Sequence, residues 1–175
     1  MRTLLAAMTG LALCASAQAA ETPLQAADAF YAVYATFQPS DGIPDRAGRA
    51  KYDAVVSPAL AALLQRAGTA EEAFHKANKD APPLVEGDLF TSLFEGAGSY
   101  RVGACRLEEK QAFCPVELAA KDGKGKALHW SDTVYLAQTS SGWRVDDIGY
   151  GGNWAFANKG RLTQTLQQIV SMAGE

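Results

Sequence analysis

Apolar residues recur at helical spacing along the first half of the chain and alternate at strand spacing along the second. Leu24, Ala27, Phe30 or Tyr31, and Tyr34 define the first helical face. Thr22-Pro23 opens it, pairing a capping side chain with proline at the first helical position. Two prolines and a glycine within 38–45 end it, and a short helix is expected over 46–55. A longer one follows over 57–78. There Ser57-Pro58 repeats the cap-and-proline signal, Leu60, Leu63, Leu64 and Phe74 supply the apolar face, and Ala81-Pro82-Pro83 closes the segment. Gly68-Thr69 is the point where this helix is expected to break, with Thr69 and Glu72 at capping-box spacing to restart it.

From Ser99 the period changes. Residues 100–107, 112–120, 127–138 and 143–150 read as strands, separated by turns at 108–111, 121–126 and 139–142. Four strands in sequence with short connections predict an antiparallel meander. Leu162, Leu166, Ile169 and Val170 then mark a last helix. Helices first and strands afterwards is α+β segregation. The expected fold is N-terminal helices packed on a curved antiparallel sheet of about four strands, followed by a C-terminal helix. The helix over 57–78 is expected to lie across the concave side.

The first residues change the picture of where the chain works. Arg2 precedes an apolar run over 4–15, and two overlapping small-x-small sites follow, Ala15-Ser16-Ala17 and Ala17-Gln18-Ala19. That is the pattern of a cleaved export signal over 1–19, leaving a single domain over 20–175. The run is shorter than the ~20 residues of a spanning helix. Cys14 is preceded by Leu13, too large for lipoprotein processing, so a periplasmic protein without lipid is expected. Losing Arg2 leaves 15 basic against 19 acidic residues, a net charge of −4, with no basic cluster for nucleic acid. Cleavage also removes Cys14. The remaining Cys105 and Cys114 flank the charged turn 108–111; pairing Glu108 with Gln111 sets the cysteines opposite each other, within disulfide reach.

Glu86-Gly87-Asp88-Leu89-Phe90-Thr91-Ser92-Leu93-Phe94-Glu95-Gly96, Trp130-Ser131-Asp132-Thr133-Val134-Tyr135-Leu136 and Trp143-Arg144-Val145-Asp146-Asp147-Ile148 resemble bacterial envelope domains of the YbjP/YqhG type. That family belongs to the nuclear-transport-factor-2-like, cystatin-like cone superfamily and has no settled activity. The resemblance runs from about Phe30 to Leu166 and implies a cone of helices on a curved sheet, with a pocket at the wide end.

Candidate chemistry lies on the last two strands. Trp130, Asp132, Val134 and Leu136 share one face, and alternation puts Trp143, Val145, Asp147 and Gly149 on one face of the next strand. A carboxylate on an apolar face is costly unless paired or hydrogen-bonded. Asp132 and Asp147 therefore either line a cavity, where a raised pKa suits a general base, or bond backbone amides or an arginine such as Arg101 or Arg106. Tyr135 and Tyr150 are the accompanying proton donors. Glu95 reads as a pocket-rim acid or a turn residue, and Tyr150-Gly151-Gly152-Asn153-Trp154 as a lid, a contact surface or a tight reversal. His75 and His129 lack partners at metal-ligand spacing, and no phosphate loop or nucleophile motif is present, so neither metal nor cofactor is expected. The leading expectation is a non-catalytic periplasmic domain that binds a small apolar ligand or an envelope protein, with Trp130, Asp132, Tyr135, Asp147, Tyr150, Trp154 and Glu95 as its site. An acid/base enzyme using a cavity aspartate is the alternative. A periplasmic immunity or inhibitor protein is a further one, resting on the acidic net charge.

Overall fold

The computed structural model describes residues 22–37, 41–121 and 123–172. The export segment over 1–19 and its cleavage sites lie outside them. The described chain is α+β. Helices α1 (Pro23–Phe37), α2 (Arg46–Tyr52) and α3 (Pro58–Ala77) come first, with two-residue strands β1 (Asp41–Gly42) and β2 (Gly87–Asp88) between and after them. Strands β3 (Ser99–Val102), β4 (Arg106–Glu108), β5 (Gln111–Lys121), β6 (Ala127–Thr139) and β7 (Gly142–Gly149) form an antiparallel sheet, and α4 (Leu162–Met172) ends the chain. Among the described residues no helix is long and apolar enough to cross a membrane.

The helix starts follow from their caps. Thr22 Oγ1 accepts from Gln25 N while Gln25 Oε1 accepts from Thr22 N, a reciprocal box at the head of α1. Ser57 Oγ accepts from Leu60 N ahead of Pro58 in α3. The expected break at Gly68-Thr69 does not occur, and α3 runs through it. Gly68 is a packing site: the buried Arg49 guanidinium lies over it, donating to Pro44 O at 2.8 Å and pairing with Glu72 at 3.3 Å. Thr69 Oγ1 bonds back to Gln65 O within the helix, so it serves no cap.

In the sheet, β3 and β4 pair end to end with β5, where the sequence reads as one strand. The break lies opposite Pro115, which has no N–H to extend the ladder; Gly103 N still donates to Pro115 O at 2.8 Å. Between Val102↔Val116 and Arg106↔Phe113 the register advances four residues on one side and three on the other, so one residue bulges out. Beyond the bulge Glu108 pairs with Gln111, and Cys105 and Cys114 are disulfide-bonded with Cα atoms 4.1 Å apart, as the turn predicts.

The helix over the sheet is α1, not the one over 57–78. Helix α1 contacts β3, β5, β6 and β7, whereas α3 meets only β7 of the large sheet and packs mainly on α4. Side-chain volume explains this. Phe30, Tyr31 and Tyr34 of α1 interlock with Tyr52 and Phe90, all fully buried, with ring centroids of Phe30–Tyr52 at 5.4 Å and Tyr52–Phe90 at 4.6 Å. This aromatic layer fills the space between helices and strands. The aliphatic face of α3 (Leu60, Leu63, Leu64) suits α4's Leu162, Leu166 and Ile169. The free edge of β7 is covered by the α2–α3 connection, through Ser57 N to Val145 O (2.7 Å) and Val145 N to Val55 O (3.0 Å).

A methyl group at position 68 would lie 2.1 Å from Arg49 Nη1, which its bond to Pro44 O holds in place. Gly68→Ala should therefore destabilise by about 1–2 kcal/mol, although an open helical site gains up to ~1 kcal/mol from the same change. Urea denaturation midpoints check the sign.

Candidate functional site

Two buried carboxylates organise the loops at one end of the sheet. Asp88, at the end of β2, accepts from Phe90 N at 2.6 Å and from the Tyr34 hydroxyl at 2.6 Å. Tyr34 Oη in turn accepts from Ala97 N at 2.7 Å, so the loop over 88–97 closes around one acid and one phenol. Gly96 allows the closure: it has φ of +81°, and a Cβ there would lie 2.7 Å from Asp88 Oδ2. Burial pushes the Asp88 carboxyl up to about 7, against the hydrogen bonds from Tyr34 and Phe90 that pull it down. Burial, with Asp88 beside it, likewise pushes the Tyr34 hydroxyl well above its ordinary range.

Asp132, on β6, reaches the same loop from the sheet. It accepts from Ser92 N and Gly151 N, each at 2.8 Å, from Trp130 Nε1 at 3.2 Å, and through a short bond from Ser92 Oγ. Ser92 Oγ then accepts from Gly152 N at 2.9 Å. One carboxylate thus joins the loop over 88–97 to the loop over 150–160. The two glycines are needed for contact, since a Cβ at 151 would meet Ser131 O at 2.0 Å and one at 152 would meet Ser92 Cβ at 2.7 Å. Asn158 adds a second stitch, its Nδ2 donating to Asp88 O (2.8 Å) and Thr91 O (2.7 Å) and its backbone N–H to Ser92 O (2.9 Å). Tyr150 contributes a third, from its hydroxyl to Leu89 O at 2.6 Å.

The joined loops frame an open groove of about 680 Å³. Leu93, Phe94 and Glu95 come from the first loop, and Asn153, Trp154 and Phe156 from the second. The β5–β6 hairpin end supplies Lys121, Gly123, Leu128 and His129. Trp154 stands edge-on to the buried Trp130 with centroids 5.8 Å apart, so its ring is held rather than free. Phe94 is 46 % exposed and Phe156 89 %.

Of the seven residues marked in the sequence, Trp154 and Glu95 line this groove and Trp130 backs it. Asp132 and Tyr150 lie beneath it as loop anchors. Tyr135 and Asp147 are elsewhere. The expectation that Asp147 shares a face with Trp143 and Val145 fails, because a bulge at Tyr135/Leu136 leaves Asp146 unpaired and shifts the alternation. Ile148, opposite Val134, takes the inner position, and Asp147 pairs with Tyr135 on the face away from Asp132. There it accepts from Thr163 N (3.0 Å) and Thr163 Oγ1 (2.9 Å) at the start of α4, with Arg161 Nη1 at 3.5 Å. Arg161 also lies over the Tyr135 ring, 3.9 Å from its centroid. The arginine partner is Arg161, neither Arg101 nor Arg106.

Sequence reasoning missed Phe94 and Phe156 as groove residues, and Ser92 and Asn158 as the links between the loops. The aromatic spacing of Trp154 and Phe156 beside Gly151-Gly152 was the available signal for the second wall. Nothing local marked Ser92. Among the described residues, no group of three His, Cys, Asp or Glu is placed to hold a metal ion. Comparison with protein-family models, with curated proteins and with solved structures returns no match.

Asp88 makes stability depend on pH with a defined sign. Its folded pKa of about 7 exceeds the ordinary value of 3.8, so between these values the folded chain holds a proton that the unfolded chain has lost. Stability should rise as pH falls from 7 towards 4, and the cost of the buried charge should be fully present above 7. The full swing is on the order of 4 kcal/mol. Denaturation midpoints across pH 4–8 should show this slope, and Asp88→Asn should flatten it.

Proposed function

We propose that this is an exported, non-catalytic envelope domain whose loop-framed groove binds a small apolar ligand. One observation carries the reading: Leu93, Phe94, Trp154 and Phe156, on loops fixed from below by buried acids, and Leu128 of β6 surround an open groove of about 680 Å³. That volume lies within the ~300–1,000 Å³ range of small-molecule sites, which are apolar with a few polar groups at the edge. Exposed aromatics on anchored loops favour binding, since little side-chain freedom is left to lose. The export pattern over 1–19, the Cys105–Cys114 disulfide and the resemblance to YbjP/YqhG-type cone domains support a periplasmic location and a cystatin-like cone.

The acid/base alternative lacks a converging pair. Asp132 is taken up by four donors, and Asp147 caps α4 on the other face. An envelope protein as the occupant remains distinct from a small ligand, and the same experiment separates them.

Protein purified from periplasm should carry a small molecule visible by native mass spectrometry. After stripping, it should enhance the fluorescence of the neutral probe N-phenyl-1-naphthylamine. Trp154→Ala with Phe156→Ser should weaken that binding by roughly tenfold or more, each lost aromatic contact counting for about a kcal/mol or above. A stripped protein that leaves the probe dark, or recovery with a stoichiometric protein instead of a small molecule, would overturn the reading.

A further inference from the structure

Asp88 sits beneath both walls of the groove. Its backbone N–H donates to Phe94 O at 2.8 Å, and its carbonyl accepts from Asn158 Nδ2 of the second loop at 2.8 Å. Its side chain closes the first loop, directly at Phe90 N and through Tyr34 Oη at Ala97 N. The Phe94 ring rests on the residue just before it, since a Cβ at Gly87 would lie 2.4 Å from Phe94 Cδ2. One buried residue therefore holds the exposed ring, the wall that carries it and a stitch to the opposite wall.

The Asp88 carboxyl is poorly placed to carry a charge. Tyr31 and Tyr34 of α1, Tyr52 of α2, Asp132 of β6 and Tyr150 face it, and these neighbours include no cation. Tyr34 and Phe90 N are its close donors, with the Thr91 amide beside them. Tyr150 gives its hydroxyl proton to Leu89 O instead, and the Tyr31 hydroxyl makes no hydrogen bond. An ionised carboxylate accepts at about four sites, and one buried without a cation is costly. Opening the loop over 88–97 lets water meet that need.

Resting on the groove reading above, we infer that Asp88 is a proton-operated latch on the groove. Neutral, it keeps the Phe94 wall closed against the second loop; ionised, it lets that wall open and the apolar ligand leave. The direction follows from the two states. In the closed wall burial pushes the carboxyl up to about 7, and in the opened, hydrated wall it returns towards its ordinary 3.8. Between those values the closed wall holds a proton that the open one has lost. Closure is fully favoured below about 4, weakens as pH rises, and is weakest above about 7. The groove loads in acid and releases towards neutrality.

Two readouts on the whole chain test this between pH 5 and 8. Amide exchange at 90 and 97, corrected for the intrinsic effect of pH, should be faster than in β5 and β6 throughout. It should accelerate by roughly tenfold or more over that range and level off above 7. The neutral probe N-phenyl-1-naphthylamine should leave the stripped protein faster in step with it. Asp88→Asn, whose side chain mimics the neutral acid, should flatten both profiles. Glu95, Lys121 and His129 are ionisable groups in the groove lining itself. A slope that persists in Asp88→Asn would overturn the latch, and its loss in His129→Gln or Glu95→Gln would move the switch to the lining. Exchange at 90 and 97 equal to that of β5 and β6 would also overturn it, since only the whole domain would then be opening. Probe release without a pH slope overturns the latch and leaves the groove standing. If the probe binds at no pH, the groove reading fails first and takes this one with it.

Discussion

The carboxylate of Asp132 is the point on which this end of the molecule depends. It sits on the longest strand and gathers donors from three places: its own strand through Trp130, the loop before the sheet through Ser92, and the loop after it through Gly151. A buried carboxylate is costly unless its lone pairs are satisfied. Here amide, indole and hydroxyl donors satisfy them. Charge-assisted bonds of this kind are roughly twice as strong as neutral ones. Because each donor belongs to a different segment, satisfying the acid and closing the loops over the sheet are the same event.

Asp88 performs a related task under different terms. It has two close donors, Tyr34 and the Phe90 amide, within an aromatic core. The charge of Asp132 adds to the burial that raises its proton affinity. The two acids thus share a core, and burial there pushes Asp88 towards holding its proton. Between them lies the segment from Phe90 to Ser92, whose backbone is fixed at both ends. Leu93, Phe94 and Glu95 emerge from that fixed base, which is how a loop without regular structure presents one wall of a groove.

Much of the local structure was legible because its causes are local. The Thr22-Pro23 and Ser57-Pro58 helix starts and the Cys105–Cys114 pairing each need only a few neighbouring residues or a turn of known length. What was not legible is decided across the fold. The residue that flips Asp147 is Asp146, left out of the ladder with its carboxylate accepting from Ser57 Oγ, 89 residues earlier in the chain. The choice of α1 over α3 as the helix on the sheet follows from how Phe30 and Tyr34 meet Tyr52 and Phe90, a matter of volume that periodicity does not carry. Asp132 was rightly singled out as an acid on an apolar face, whereas Asp147, also buried, stands on the opposite one. Their resolution, one as a clasp and the other as a helix cap, depended on Ser92 and Thr163, whose sequence surroundings announce neither role.

The most direct measurement is residue-resolved amide hydrogen exchange in the wild type and in Asp132→Ala. Loss of the carboxylate strips Ser92, Gly151 and Trp130 of their acceptor, at a cost of about 1–3 kcal/mol for each buried donor left unpaired. Exchange at 92 and at 150–153 should accelerate at least roughly tenfold, while β5 and β6 around the disulfide hairpin keep their protection. Unchanged exchange in both loops would contradict the central role of Asp132.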